Sequence, residues 1–153
     1  MNYRKFQADK IFTGFEFLDP GHVLILDEEG KVRTIYAAHD GGRILNRALF
    51  ESQIQGGVVM GMGYALSEKL PLKDGRLISD RMSKLGLLKA KDVPEIKVIG
   101  VECFDPLGPF GAKGIGEIGT IPTAPAIGNA YCRFDGQRRY SLPLSPPNKG
   151  SSG

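Results

Sequence analysis

Residues 108–129, GPFGAKGIGEIGTIPTAPAIGN, form the stretch that decides how this chain folds. Five glycines occur within twelve residues, and because glycine has no Cβ, its backbone can adopt positive φ and approach a ligand closely. Lys113 and Glu117 are the base and the acid of this stretch, and they could lie on opposite sides of a turn. An ordinary surface loop before a helix is the simpler hypothesis. The small and apolar residues that follow favour a packed loop, which predicts that Glu117 is buried in a reactive centre.

The rest of the chain alternates between strand and helix patterns. An apolar run followed by alternating basic and apolar residues predicts a hairpin, and near Leu49 the apolar residues change to a helical period. We predict strands at 12–18, 22–27 and 31–38, a helix at 49–69 ended by Pro71, an irregular surface excursion at 70–92, a strand at 96–104 buried on both faces, a helix at 120–134 stopped by Gly136, and a short strand at 138–144. These elements predict an α+β fold of two layers, with two main helices packed on one face of a mixed sheet.

The first predicted helix is rich in glycine. Its interior contains Gly56, Gly57, Gly61 and Gly63, and each glycine costs about 1 kcal/mol of helix propensity relative to alanine. Some group must therefore approach this backbone closely. A neighbouring helix or strand explains the glycines as well as a cofactor near Gln53 and Gly57 does.

Composition limits the classes of protein to which the chain can belong. Its 153 residues suffice for one domain, and 20 basic against 17 acidic residues give a net charge of only +3. The basic residues are dispersed, so we predict no nucleic-acid partner, and we expect Arg138 and Arg139 in a solvated turn. Cys103 and Cys132 are expected to be buried free thiols, and the histidine and cysteine spacing does not favour zinc.

Domain boundaries and location follow from the same survey. We expect one domain over residues 1–144 and a flexible tail at 145–153, which is rich in Pro, Ser and Gly. No secretory or membrane-spanning segment is visible, so we expect a cytoplasmic protein with no membrane partner. The glycines at 114–116 make a poor dinucleotide loop, since prolines follow where a regular helix should begin.

Two segments resemble the molybdenum-containing hydroxylases, the xanthine dehydrogenase and aldehyde oxidase family. Residues 111–117 read Gly-Ala-Lys-Gly-Ile-Gly-Glu, like the C-terminal active-site motif of that family. Upstream, the family has runs of His-Asp-x-Gly-Arg, Asn-Pro, Gly-Gln-x-Glu-Gly and Gly-x-Gly-x-Ala-Leu-x-Glu. The matching residues of this chain are His39, Asp40, Gly42, Arg43, Asn46, Gln53, Gly56, Gly57, Gly61, Gly63, Ala65 and Glu68. The resemblance covers roughly residues 23–146. The chain departs from the pattern at Ile118, Arg47 and Gln55, where the family usually has proline, proline and glutamate.

The resemblance implies specific roles for residues of an active site. Glu117 matches the general base beside the molybdenum centre, and Gln53 matches a glutamine that hydrogen-bonds the molybdopterin. Further cofactor contacts are implied at Gly57, Gly114, Ile115 and Gly116. The family's pattern implies no residue of this chain that binds the metal directly.

The resemblance also implies a reaction and partners. Residues 85–90 and 134–139 are similar to the selenium-dependent xanthine dehydrogenases, which implies hydroxylation of a purine such as xanthine or hypoxanthine and a labile selenium ligand. An aldehyde-oxidising relative is the alternative. Iron–sulfur clusters and flavin would lie only on other domains or subunits, since two cysteines cannot hold a cluster. The implied partners are the rest of the molybdopterin-binding subunit and the iron–sulfur and flavin subunits. A non-catalytic binding or assembly module, or an inactive remnant, stays open as a second class.

Overall fold

The computed structural model of the chain describes residues 4–7, 11–12, 17–18, 23–79 and 81–148. In chain order, the elements are β1 (Arg4–Gln7), β2 (Ile11–Phe12), β3 (Phe17–Leu18), β4 (Val23–Leu26), β5 (Val32–Asp40), α1 (Arg47–Leu66), β6 (Leu72–Lys73), β7 (Arg76–Leu77), β8 (Glu95–Val101) and α2 (Thr123–Asp135). Short 3-10 turns occur at Met82–Lys84, Ala90–Asp92 and Pro109–Gly111. None of the helices in these described ranges is long and apolar enough to cross a membrane.

The main sheet is mixed and has four strands in the order β1-β4-β5-β8. The pairs β1–β4 and β4–β5 are antiparallel, whereas β5–β8 is parallel. Asp27 stabilises the β4–β5 turn, because its Oδ1 accepts hydrogen bonds from Glu29 N at 3.0 Å and Lys31 N at 2.8 Å. Gly30 has the left-handed φ of 77° that this turn requires. The predicted hairpin is therefore confirmed.

Both helices bury an apolar face against the sheet. In α1 the buried side chains Ile54, Val58 and Met62 repeat every four residues, as the sequence predicts. In α2 the predicted stripe is also buried: Ile127, Ala130, Tyr131 and Phe134. These side chains form one core with apolar residues of β4 and β5 such as Leu26 and Ile35. The α+β prediction, two helices against a mixed sheet, is confirmed.

The ends of α1 differ from the predicted 49–69. The helix begins at Arg47 because the side chain of Asn46 caps it, accepting a hydrogen bond from Leu49 N at 3.0 Å. It ends at Leu66, because Ser67 leaves the helical conformation and its N–H donates to Gly63 O at 3.0 Å. Pro71 is therefore not the residue that ends the helix.

The segment entering α2 packs against the glycines on the buried side of α1. A Cβ on Gly57 would lie 3.0 Å from both Gly119 Cα and Thr120 N. A Cβ on Gly61 would lie 2.7 Å from Thr123 Cβ. The segment entering α2 thus fills the space that the sequence left open to either a neighbour or a cofactor at Gly57.

β8 is an edge strand, and the prediction that both of its faces are buried is wrong. Within the described sheet it pairs only with β5, and its residues alternate between exposed and partly buried. The strand also ends at Val101, earlier than predicted. Cys103 therefore lies in an exposed connection rather than in the core, and Cys132 is only partly buried.

Three further local predictions have mixed outcomes. The predicted strand at 12–18 is instead two short antiparallel strands, β2 and β3. The predicted strand at 138–144 is irregular, and Leu144 N instead donates to Ala65 O at 2.7 Å. Gly136 ends α2 as predicted, with a left-handed φ of 75°.

A buried ion pair organises the segment after α2. Arg139 Nη2 lies 2.6 Å from Asp135 Oδ2, and the two side chains are only 6% and 2% exposed. The expectation that Arg139 lies in a solvated turn is therefore wrong. The hydrogen bonds from Arg139 outweigh the effect of burial and lower the pKa of Asp135 to about 2.

The same pair holds the residues that follow. Arg139 Nε donates to Ser145 O at 2.6 Å, and Asn148 N donates to Asp135 Oδ2 at 3.0 Å. The first four residues of the predicted tail at 145–153 thus lie against the end of α2. Residues 149–153 are outside the described part of the chain.

The ion pair predicts a pH-dependent stability. Because the folded pKa of Asp135 is about 2 and its ordinary value is 3.8, its contribution is complete above pH 3.8 and is lost as the pH falls towards 2. We expect Asp135→Asn to lower the free energy of unfolding by about 2 kcal/mol at pH 6, with a smaller difference at pH 3. Urea denaturation of both proteins across this range measures it. An equal difference at both pH values would contradict the assignment.

Packing at Gly57 predicts a second, position-specific effect. Gly57→Leu should overpack against Gly119 and Thr120 and cost about 1 to 3 kcal/mol or more. Gly56→Leu is the matched control, since a Cβ there has no described neighbour within 4 Å and the leucine improves helix propensity. Thermal melting should show a lower Tm for the first variant only, and equal melting temperatures would refute the close packing.

Candidate functional site

The candidate residues lie near the edge of the sheet where β5 and β8 end. The two strands are parallel, with Asp40 paired to Val101, so the segments that follow them leave the sheet side by side. Binding sites of sheets with parallel strands commonly form outside these carboxyl ends. Here the two segments are 41–46, which leads into α1, and 102–122, which contains the glycine-rich loop.

Asp40 connects these two segments to the end of β5. Its Oδ1 accepts hydrogen bonds from Gly42 N at 2.8 Å and Cys103 N at 3.1 Å, while its Oδ2 accepts one from Lys113 Nζ. Burial acts to raise the pKa of Asp40, but the hydrogen bonds from Lys113 and the two backbone N–H groups hold it below its ordinary value. The hydrogen bond to Asp40 raises the pKa of Lys113. Both groups are therefore charged at neutral pH.

Backbone contacts reinforce the same junction. Lys113 N donates to Gly41 O at 3.0 Å, and Arg43 N donates to Gly111 O at 2.8 Å. Gly42 has a φ of 61°, and a Cβ on it would lie 2.5 Å from Gly111 O. Glycine is thus required at this close approach. These contacts form the upstream anchor of the loop, made of residues 40–43 and 111–113.

The residues after this anchor form the outer part of the loop. Gly114 and Gly116 are exposed, and no described atom lies within 4 Å of a Cβ built on either. Ile115 is partly buried against the core. Glu117 is exposed, so the prediction that this chain buries it is wrong. The glycine loop turns inward through Ile115 and leaves the carboxylate on the surface.

The loop is fixed again directly after Glu117. The carbonyl of Glu117 accepts a hydrogen bond from Thr120 N at 2.9 Å. A Cβ on Gly119 would lie 2.8 Å from Ile54 O and 3.4 Å from Gly57 Cα, so Gly119 packs directly on α1. This contact is the downstream anchor of the loop, made of residues 119–120 against α1. Residues 114–118 therefore span two fixed points.

Gln53 lies on α1 beside the downstream anchor. It directly precedes Ile54, whose carbonyl faces Gly119, and it is one helical turn before Gly57. Its side chain is exposed, and an amide can donate and accept hydrogen bonds at once. Gln53 and Glu117 are therefore exposed residues of two segments that contact each other at Ile54 and Gly119, while Gly57 is buried against Gly119.

Asp40 and Gly119 are functional residues of this site that the sequence alone did not predict. Asp40 is visible only as part of a motif, but a carboxylate at the end of a strand and before two glycines is a recognisable signal for backbone N–H binding. The sequence suggests that Lys113 lies across a turn from Glu117, whereas the structure pairs Lys113 with Asp40. Gly119 carries no local signal, because its role depends on Ile54, which is distant in the sequence.

Another concave surface lies elsewhere on the described part of the chain. A cavity of about 480 Å³ opens between the end of α1, α2 and the segment after it, and Tyr64, Asn129, Arg138 and Tyr140 are among its lining residues. Neither Gln53 nor Glu117 lines it. The chemistry that the sequence predicts therefore belongs to the open loop surface and not to this cavity.

The chain is similar in sequence to proteins that bind molybdenum or its cofactor. Residues 23–94 match the molybdopterin cofactor-binding domain family. The chain is 35% identical over 117 residues to the xanthine dehydrogenase molybdenum-binding subunit of Escherichia coli O157:H7. It is 36% identical over 120 residues to the aldehyde oxidoreductase molybdenum-binding subunit PaoC of Escherichia coli K12. These alignments cover 75% and 76% of this chain but 16% of each relative.

A solved structure shows the same arrangement. The aldehyde oxidoreductase from Desulfovibrio desulfuricans aligns with a TM-score of 0.70 and 32% sequence identity. The alignment covers 82% of this chain and 14% of that chain. The chain therefore spans only a small part of the length of the proteins it matches.

Proposed function

We propose that the chain belongs to the xanthine dehydrogenase and aldehyde oxidoreductase family, through the molybdopterin cofactor-binding domain that its residues 23–94 match, and that it supplies part of a molybdenum hydroxylase active site. In this proposal Glu117 is the general base and Gln53 binds the cofactor. One observation carries it: the exposed Gln53 and Glu117 belong to two segments that contact each other at Ile54 and Gly119.

The loop surface fits a cofactor that is held by hydrogen bonds. Gly114 and Gly116 leave their backbone accessible, and the amide of Gln53 offers both a donor and an acceptor. We assign cofactor contacts to Gln53, Gly114, Ile115 and Gly116. The contribution of Gly57 is indirect, since it lets Gly119 approach α1 and so places the loop. Bound molybdopterin would supply the centre that oxidises the substrate carbon and accepts its electrons.

Glu117 would take up and hold the proton released in this reaction. A general base must lie within hydrogen-bond distance of the proton that it removes, so the position of its backbone matters. The two anchors fix the loop on both sides of Glu117, while the exposed carboxylate remains able to reach a substrate. This division between fixed ends and a free side chain supports the assignment.

Other parts of a larger protein would complete the site. The chain spans 16% of the relatives' length. Large apolar side chains are exposed near the upstream anchor: Leu107 at 95%, Phe110 at 76% and Phe104 at 72%. Exposed apolar groups of this size commonly mark contacts with other protein surfaces. We therefore propose that the rest of a molybdenum-binding subunit covers the loop, with iron–sulfur clusters and flavin on other domains or subunits of a cytoplasmic complex. The isolated chain should then fold but be inactive.

For the substrate we propose a purine such as xanthine or hypoxanthine. Similarity to a xanthine dehydrogenase subunit supports it, but the nearly equal identity to an aldehyde oxidoreductase favours an aldehyde as the second candidate. Turnover of xanthine, hypoxanthine and an aromatic aldehyde by the purified complex separates the two. Elemental analysis of the same sample tests for molybdenum and for the selenium ligand that we include in the proposal. Absence of both molybdenum and turnover would favour a non-catalytic module.

Replacement of the base is the direct test. In the assembled enzyme, Glu117→Gln should lower turnover by about 10² to 10⁴ while the molybdenum content stays the same. In the chain itself, the exposed position predicts a free energy of unfolding within about 0.5 kcal/mol of the parent. Asp92→Asn, at an exposed carboxylate of the 3-10 turn Ala90–Asp92, is the matched control and should change neither quantity. Near-normal turnover of Glu117→Gln would show that another group is the base.

A further inference from the structure

We propose that Asp40 is a positioning residue for Glu117 and acts through Lys113 on the loop segment between Lys113 and Glu117. The inference concerns the loop conformation and rests on the proposed function only for the role of Glu117. Asp40 itself lies at the end of β5 and is not assigned any contact with cofactor or substrate.

Its hydrogen bonds make Asp40 the centre of the upstream anchor. One carboxylate oxygen binds the N–H groups of Gly42 and Cys103, which fixes the carboxylate against the ends of both parallel strands. The other oxygen binds the ammonium group of Lys113. The side chains of Asp40 and Lys113 are each about one third exposed, at 31% and 35%, so solvent competes for both. The ion pair is thus the side-chain contact that holds Lys113 to the sheet.

Glycines give the loop between the anchors conformational freedom, while Ile115 and Ile118 are partly buried against the core. Two of the residues between Lys113 and Gly119 are Gly114 and Gly116, and glycine backbones lose the most conformational freedom on ordering. Both lie in open surroundings within the described structure. The direction of Glu117 therefore depends on the packing of Ile115 and Ile118 and on the two ends of the span. The contact with α1 fixes the downstream end, so the upstream end depends on the anchor at Asp40.

Asp40→Asn removes the charge and preserves most of the shape. The asparagine oxygen can still accept hydrogen bonds from Gly42 and Cys103, but it no longer attracts the ammonium group of Lys113. The variant therefore tests the link to the loop more than the link between the strands. Asp135→Asn is the matched control, because it breaks a different carboxylate–cation pair, at the far end of α2.

Amide hydrogen exchange of the 153-residue chain reads the loop directly. In Asp40→Asn, the amides of Lys113 and Arg43, which donate across the upstream anchor, should exchange at least about tenfold faster, while the interior of α1 at Ile54 is unchanged. In Asp135→Asn, Lys113 and Arg43 should not change relative to Ile54. Unchanged exchange at Lys113 and Arg43 in Asp40→Asn would overturn the proposal.

Kinetics of the assembled enzyme provide the second readout. Asp40→Asn should lower kcat by about 10- to 100-fold with a smaller change in KM and full molybdenum content, since a misplaced base loses rate more than binding. Lys113→Arg, which keeps the pair, should retain most of kcat. The double variant Asp40→Asn/Glu117→Gln should be no slower than Glu117→Gln alone, because both changes act through one group.

The outcomes separate the two proposals. If Glu117→Gln is inactive and Asp40→Asn has normal kcat, the positioning role is overturned and the proposed function stands. A further loss in the double variant equal to that of Asp40→Asn alone also overturns it. If Glu117→Gln keeps its turnover, the proposed function fails, and the exchange rates at Lys113 and Arg43 decide whether Asp40 holds the loop.

Discussion

The structure depends on the close contact between α1 and the backbone that leads into α2. Gly57 and Gly61 give up helix propensity so that Gly119, Thr120 and Thr123 can lie directly on the helix. This approach sets the distance between the two helices, and the core below follows from it. The same contact fixes the downstream end of the glycine-rich loop. The fold and the candidate site therefore depend on one packing contact.

Hydrophobic periodicity was sufficient to predict the architecture. The four-residue repeat through Ile54, Val58 and Met62 identifies the buried face of α1, and the Asp27 turn identifies the hairpin. Contacts between distant residues could not be predicted in this way. The edge position of β8 and the burial of Arg139 depend on which segments become neighbours, and a local pattern does not contain that information.

In the candidate site, too, local patterns predicted some features, whereas others depend on contacts between distant residues. A glycine-rich loop with one acid was enough to select Glu117, and the glycine-containing helix was enough to select the neighbourhood of Gln53 and Gly57. The burial of Glu117 was predicted wrongly, because composition indicates that a loop can pack against the core but not which of its side chains face solvent. The role of Asp40 could not be predicted from a local pattern, because its partner Lys113 is 73 residues away. The Glu117 and Gln53 roles remain predictions.

The parallel pairing of β5 with β8 has a consequence for the order of events in folding. Thr34 and Glu95, which face each other at the start of this pairing, are 61 residues apart in the chain. Closing so large a loop is entropically costly, and contacts of this range form slowly compared with helices and hairpins. The Asp40–Lys113 junction exists only after this closure. The surface that presents Glu117 is therefore a late product of folding, and a cofactor that needs it can be accommodated only by a domain whose sheet is already complete.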